Sequence, residues 1–404
     1  MADQVNQNYN FREAITDPVF FIGRNDLIGQ VQQFPSKVWI ILGGRRIGKT
    51  STLNAIQWKL LSSEPEKSRA FPVLINLQVE RPESLNNLLY ILIARLRESL
   101  ECWNQSNGNS LRESYLSYLR QIASVEAIFN FFESINIQPE NERSKGERYL
   151  SHDDFRLAFL KTLEELRNSD FWSICFLLDG ADYIAHQKSW ANDAWSYLRG
   201  LKDTETAIKP FLGLVLSGYR ELKEYQQEVG SELLNIAETQ WLYPLTELEV
   251  SELIYCRMEG IELVLTEQDI CFIKEWAGNH PYLIQRILDV ICNSYDEKTE
   301  ISGNKIVDEE HLIETLLYHH AHDFSAWWNE GSITGGFGDN ERLVYRALIE
   351  LRKGTTANLA QKTQLSRMKV KVALDVLLGT GVISKINREY AIGSRLFEEW
   401  VTGV

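Results

Sequence analysis

Val38-Trp39-Ile40-Ile41-Leu42-Gly43-Gly44-Arg45-Arg46-Ile47-Gly48-Lys49-Thr50-Ser51-Thr52 decides the reading of this chain. Val38–Leu42 is a run of strand-forming apolar residues, and Gly43 to Thr50 fits the pattern G-x-x-x-x-G-K-[ST]. Leu53, Ile56, Leu60 and Leu61 recur at helical spacing, so Ser51–Leu61 is expected to be a helix. Strand, glycine-rich loop and helix N-terminus in that order make an anion site. Backbone N–H groups over Gly44–Ser51 converge on phosphate oxygens, and the helix dipole favours negative charge. Gly43 and Gly48 are expected to permit the tight curl and the close approach. Lys49 is assigned to the β- and γ-phosphates and the Thr50 hydroxyl to Mg²⁺. Gly43, Gly44, Arg45, Arg46, Ile47, Gly48, Lys49, Thr50 and Ser51 thus form the expected phosphate-binding stretch. The Arg45 and Arg46 side chains point outward from such a loop, to the surface or to a neighbouring element.

Working outward, Val19-Phe20-Phe21-Ile22-Gly23-Arg24 is a strand-like apolar segment just ahead of the motif. Gly23 and Arg24 there read either as part of a cover for a nucleotide base or as the run-up to a helix capped by Asn25 or Asp26. Further on, Phe171–Leu178 (FWSICFLL) is a buried strand ending in Asp179-Gly180-Ala181-Asp182-Tyr183. Taken alone, Asp179 is as readily a turn residue as a ligand. Beside a phosphate loop it is placed to hold the Mg²⁺ shell, and Asp182 to orient or activate an attacking water. Phe211–Leu216 (FLGLVL) ends in Ser217-Gly218-Tyr219-Arg220, where a hydroxyl and an arginine can sense a γ-phosphate. A salt bridge at a helix start is the other reading of Arg220. Ala70–Leu77 and Gln240–Leu245 bring the count to about five strands, separated by amphipathic segments such as Pro82–Glu101 and Asp153–Asn168. That alternation predicts an α/β fold with a mainly parallel sheet covered on both faces. Trp103–Ile137 reads as additional helix and Gln138–Ser151 as a charged loop.

From Thr246 the pattern turns all-helical, with segments to Met258, over Thr266–Trp276, Leu283–Tyr295 and Asp308–Phe324. His319, His320 and His322 tempt a metal reading, since His319 and His322 are helix neighbours, but nothing else converges on them in sequence, so a solvated or capping cluster outweighs a metal site. Gly331–Asp339 is a glycine-rich linker. Three helices (Glu341–Lys353, Thr355–Lys362, Ser366–Leu378) and two short strands around Asn387-Arg388 then make a winged helix. Arg367, Lys369 and Lys371 on its third helix face DNA phosphates in one reading. A solvated helix face or an intramolecular dock is the favoured one. The expected division is a polar lead-in over 1–17, a P-loop domain over 18–246, a helical lid domain over 247–332 and a winged-helix domain over 333–404.

The chain has 404 residues and a net charge of −14. Residues 341–404 carry +5 and the remainder −19. The acidic body disfavours non-specific nucleic-acid binding; the basic end favours either DNA or an acidic partner domain. Five scattered cysteines without a C-x-x-C pair fit a reducing, cytoplasmic setting rather than a disulfide framework. No apolar run approaches membrane-spanning length, and 1–17 has no signal-peptide core.

Together these motifs resemble the STAND class of P-loop ATPases, in particular its bacterial and archaeal AAA-like members. FIGRND (Phe21–Asp26) is similar to their F-x-G-R-x-x motif, GGRRIGKTS to Walker A and FLLDGADYI to Walker B. Gly180 with an acidic residue two positions later is similar to the NACHT branch. LVLSGYR resembles the sensor strand, AGNHPYLIQ the lid motif with Pro281 beside the adenine, and YAIGSRLFEEWV the end of the winged helix. The resemblance implies an ATP/ADP switch with Mg²⁺: ADP holds the three parts closed, and ATP opens them for oligomerisation, in prokaryotic signalling or antiviral defence. No Met-His-Asp motif ends the winged helix, so a histidine contact to ADP is not expected there. No effector region precedes the P-loop domain and no sensor repeats follow, so trigger and output are expected in the chain's own assembly or in a separate effector or sensor protein. A DNA-handling AAA+ ATPase of the origin-binding, loader or transposition-regulator type is the rival. A nucleotide-bound structural partner with little turnover is the third reading, kept open by Gly180.

Overall fold

The computed structural model describes residues 13–64, 69–141, 148–219, 222, 225, 232–259, 264–297, 309–329 and 336–403. The chain divides into two compact units. One comprises Ile15–Leu42 and Lys49–Gln240; the other holds Gly43–Gly48 and the chain from Trp241 onward.

The first unit is built on the expected sheet. Its strands are β1 (Val38–Leu42), β2 (Ala70–Asn76), β3 (Ser173–Asp179), β4 (Leu212–Gly218) and β5 (Glu238–Trp241), in the spatial order β2-β3-β4-β1-β5. The pairs β2–β3, β3–β4 and β4–β1 are all parallel. Every residue of β1, β3 and β4 is buried, which is why these strands read as continuous apolar runs instead of alternating ones. Pro72 sits in β2, opposite Cys175; a residue with no donor is tolerated because β2 lies at the edge of the sheet. In register, Leu42 faces Gly218 and Asn76 faces Asp179, so the strands end together at one edge. In open parallel sheets that carboxyl edge is where ligands bind.

Helices α1 (Asn25–Gln33), α2 (Lys49–Leu61), α3 (Leu85–Gln105), α4 (Leu111–Arg120), α5 (Val125–Ser134), α6 (His152–Arg167) and α7 (Ala191–Asp203) surround the sheet. Leu53, Ile56, Leu60 and Leu61 of α2 are buried as the spacing requires, and so are the polar Asn54 and Gln57. Both side chains are satisfied: Gln57 donates to the Tyr118 hydroxyl of α4 at 3.1 Å, and Asn54 donates to the Ile15 carbonyl at 2.9 Å.

Several local expectations change. The apolar Val19-Phe20-Phe21 run is no strand: Asp17 caps a single 3₁₀ turn over Pro18–Phe20. Trp103–Ile137 is additional helix, as expected, but in separate pieces. Helix α3 runs on to Gln105, and α4 starts afresh at a Ser110/Glu113 capping box. Ile122 lies between α4 and α5 and is 91% exposed. The last strand is Glu238–Trp241 instead of Gln240–Leu245, because Leu242 and Leu245 are buried without joining the ladder and Pro244 has no amide to give it. Within Gln138–Ser151, Glu140–Asn141 pairs with Arg148–Tyr149; residues 142–147 lie outside the described residues, as do 331–335 of the linker.

The second unit contains α8 (Glu247–Met258), α9 (Glu267–Ala277), α10 (Pro281–Glu297) and α11 (Glu309–Asn329). It then runs α12 (Asp339–Leu351), β6 (Lys353–Gly354), α13 (Thr356–Thr363), α14 (Arg367–Thr380), β7 (Ile383–Ile386), β8 (Glu389–Ile392) and α15 (Arg395–Gly403). Thr246, Thr266 and Thr355 each open a helix with a capping box. The small sheet has the order β6-β8-β7, and its hairpin turns at Asn387, which takes the left-handed φ of 57° that asparagine tolerates. Lid helices and winged helix share one aromatic core. The Phe397 ring of α15 packs on Phe324 and Trp327 of α11 and on Tyr345 of α12, with centroids 5.2 to 5.5 Å apart.

Candidate functional site

At the carboxyl edge of the sheet, three side chains from three elements meet. Lys49 and Thr50 begin α2. The Thr50 hydroxyl donates to Asp179 Oδ2 at 2.7 Å, and the Ser217 hydroxyl, from the end of β4, donates to Oδ1 of the same carboxylate. Ser217 also accepts the Gly180 amide at 3.3 Å, fixing the turn that follows Asp179. One hydroxyl and one carboxylate side by side form a donor set suited to Mg²⁺, which takes few protein oxygens and completes its shell with water and phosphate. Among the described residues no group of three or more His, Cys, Asp or Glu could hold a metal alone.

Gly180 follows Asp179 with φ of +71°, and a Cβ there would meet the Gln78 side chain at 2.9 Å. A larger residue here would be strained by the left-handed backbone and would have to displace the Gln78 side chain. The Lys49 ammonium lies 5.9 Å from the centre of the Tyr219 ring. Ser51 turns its hydroxyl to the Ile15 amide, which donates to it at 3.0 Å, and so ties the preceding segment to α2.

Asp182 also holds backbone. Its carboxylate accepts the Tyr219 amide at 2.9 Å and the Leu222 amide at 3.0 Å, pinning the turn beyond β4. Burial pushes its pKa up, against the two amides and the Lys49 charge, which lower it. These bonds make the carboxylate an anchor for the backbone beyond β4. Arg220 lies outside the described residues.

Gly23 and Arg24 are consecutive left-handed residues, with φ of 83° and 63°, that turn the chain into α1. Arg24 itself occupies the cap position, in place of Asn25 or Asp26, and its side chain makes no capping bond. Pro281 is the first residue of α10, a position where its fixed φ and missing amide are harmless.

The loop Gly43–Gly48 belongs to the second unit. The left-handed positions are Arg46, at φ 62°, and Gly48, at φ 100°; the close approach is at Gly44 instead of Gly43. The Gly44 amide donates to the Gly379 carbonyl near the end of α14 at 2.8 Å, and a Cβ on Gly44 would lie 2.6 Å from Thr380 Cα. Ile47 is buried. Arg46 meets the lid helices: its guanidinium lies 5.0 Å over the Tyr282 ring and 3.5 Å from Asp323.

His320 lies behind Asp323 and is 2% exposed, hydrogen-bonded to Arg286 and paired with Asp323. The solvated reading therefore holds for His319 and His322, both exposed, and fails for His320. Sequence reasoning missed Tyr282, Arg286, His320 and Asp323 as neighbours of the loop. Only the two arginines in the loop hinted that something anionic had to face them.

No family model matches the chain, and no curated protein matches it. Solved structures do. The Walker-type ATPase PABY2304 of Pyrococcus abyssi is similar over 96% of this chain and 98% of its own, with 14% identity and a TM-score of 0.59. The likeness shows a shared fold. The Aeropyrum pernix ORC2 protein, in its ADPNP–ADP complexes, covers 95% of this chain and 97% of its own at 11% identity, with a TM-score of 0.49. Aeropyrum pernix ORC1, in complex with DNA, covers 95% and 93% at 12% identity, with a TM-score of 0.43. Among the described residues no helix is long and apolar enough to cross a membrane.

Proposed function

We propose that this chain is an ATP- and ADP-binding switch ATPase of STAND type, with slow turnover, that controls its own assembly or a separate effector or sensor protein. The observation that carries the reading is the Thr50–Asp179–Ser217 constellation at the carboxyl edge of the sheet, joined by the chain itself to the loop Gly43–Gly48. Lys49 and the loop amides bind phosphate oxygens. Thr50 and Asp179 hold Mg²⁺, which when bound neutralises the phosphate charge. Ser217 holds Asp179 in place. Arg220 is proposed to meet the γ-phosphate, and Gly23, Arg24 and Pro281 to border the base. Gly180 leaves no side chain beside Asp179 to activate water, which favours slow hydrolysis and a role in switching. The grip of α14 on Gly44 supports a resting state in which the phosphate loop is engaged by the winged helix. Signalling and antiviral defence are the proposed settings, and the cytoplasm the proposed location.

The second reading is a DNA-binding AAA+ ATPase. It is favoured by the exposed start of α14, where Arg367, Lys369 and Lys371 flank Met368, itself 71% exposed. Measuring molecular mass in solution with ADP, ATP and Lys49→Ala, each with and without duplex DNA, separates the two. Assembly driven by ATP and indifferent to DNA is expected. Salt-sensitive DNA binding lost in Lys369→Ala/Lys371→Ala would replace the switch by the DNA-handling ATPase. Absence of nucleotide binding would sink both.

A further inference from the structure

We propose that Asp323 is a positioning residue for the phosphate loop, acting through Arg46; the proposal rests on the nucleotide-binding reading above. Arg46 is a non-glycine residue in the left-handed region, a strained conformation that persists where the surroundings hold it. Two groups of the lid helices hold it here. The Tyr282 ring lies under the guanidinium at 5.0 Å, and Asp323 Oδ1 lies 3.5 Å from it.

The hydrogen bonds behind Asp323 fix its state. Arg286 Nε donates to His320 Nε2 at 3.1 Å. A guanidinium has only donors, so Nε2 is bare and the ring proton sits on Nδ1. Nδ1 faces Asp323 Oδ2 at 3.2 Å, and the Tyr282 hydroxyl donates to the same oxygen at 2.9 Å. Arg286 is held in turn by Asp289 at 2.9 Å. Oδ2 is thus occupied by two donors from α10 and α11, which leaves Oδ1 to the arginine of the loop. Burial works against the Asp323 charge, but the bonds from His320 and Tyr282 and the Arg46 charge hold its pKa down to about 2.

The consequence lies in the loop's backbone. Left-handed residues set among right-handed ones aim successive N–H groups into one concavity, an anion nest. Arg46 and Gly48 are the two left-handed residues of this loop. Glycine keeps that conformation unaided; Arg46 does so because Asp323 and Tyr282 grip its side chain. The lid helices thereby set the phosphate affinity of the loop without touching a phosphate.

The test uses the full-length chain and a fluorescent ADP analogue, with dissociation followed by stopped flow and melting temperature as the control for folding. Arg46→Ala and Asp323→Asn are each expected to speed dissociation roughly threefold to tenfold, and the double variant no more than either alone. Arg46→Gly, which adopts the left-handed conformation freely, is expected to restore slow dissociation in the Asp323→Asn background. Multiplicative effects of the two single changes, unchanged rates, or no rescue by glycine overturn the proposal while leaving nucleotide binding intact. If Asp323→Asn proves unstable, Arg46→Ala against Arg46→Gly decides, equal rates overturning the proposal. Lys49→Ala binding the analogue as well as the parent would instead overturn the nucleotide-site reading.

Discussion

Asp179 is held by hydroxyls on both oxygens, and the two hydroxyls have separate roles. Thr50 belongs to the phosphate loop's own motif, whereas Ser217 comes from β4 and orients the carboxylate and the turn that follows it. Ser217→Ala is therefore expected to weaken Mg²⁺ affinity roughly tenfold, read from ATP turnover as Mg²⁺ is varied, while ADP binding without metal stays unchanged. Asp182 is expected to act on stability. Asp182→Ala strands the buried amides of Tyr219 and Leu222 and should cost about 2–4 kcal/mol in urea unfolding. Asp182→Asn, which keeps an acceptor oxygen, should leave turnover largely intact; a collapse of turnover with stability preserved would return Asp182 to the attacking water.

At the level of elements, the strands and the phosphate-loop helix were legible because their signals are local. Val38–Leu42 and Phe171–Leu178 are apolar throughout because both faces of the sheet are covered, and the motif glycines and Lys49 follow directly in the chain. The Arg46–Asp323 pairing was not legible, since it joins residues 277 positions apart and depends on how α10 and α11 pack. The bonds from Asp182 to the Tyr219 and Leu222 amides were not legible for a related reason: a carboxylate three residues past a strand looks the same whether or not it also holds a distant turn. The end of α14 is a similar long-range feature. Gly44→Ala would drive a methyl group into Thr380, so a loss of about 1–3 kcal/mol and faster proteolysis of the winged helix are expected. Asp323 also gives the lid helices a pH signature. Its folded pKa of about 2 lies below the ordinary 3.8, so the stability it contributes is complete above 3.8 and is lost as the pH falls through 2. Urea midpoints between about pH 5 and 2 should fall more steeply for the parent than for Asp323→Asn.

For the whole molecule, one aromatic core decides what unfolds together. The Phe397 ring touches rings from α11, α12 and α15, so Phe397→Ala is expected to cost about 3–5 kcal/mol. Lid helices and winged helix should then lose near-UV ellipticity in a single step; two separate steps would show that each has a core of its own. The proposed self-association meets a different constraint, set by Pro72. A growing polymer that extended the sheet past β2 would need an unbroken row of amide donors on that strand, and Pro72 interrupts the row. The residue guards against fibre growth along this edge.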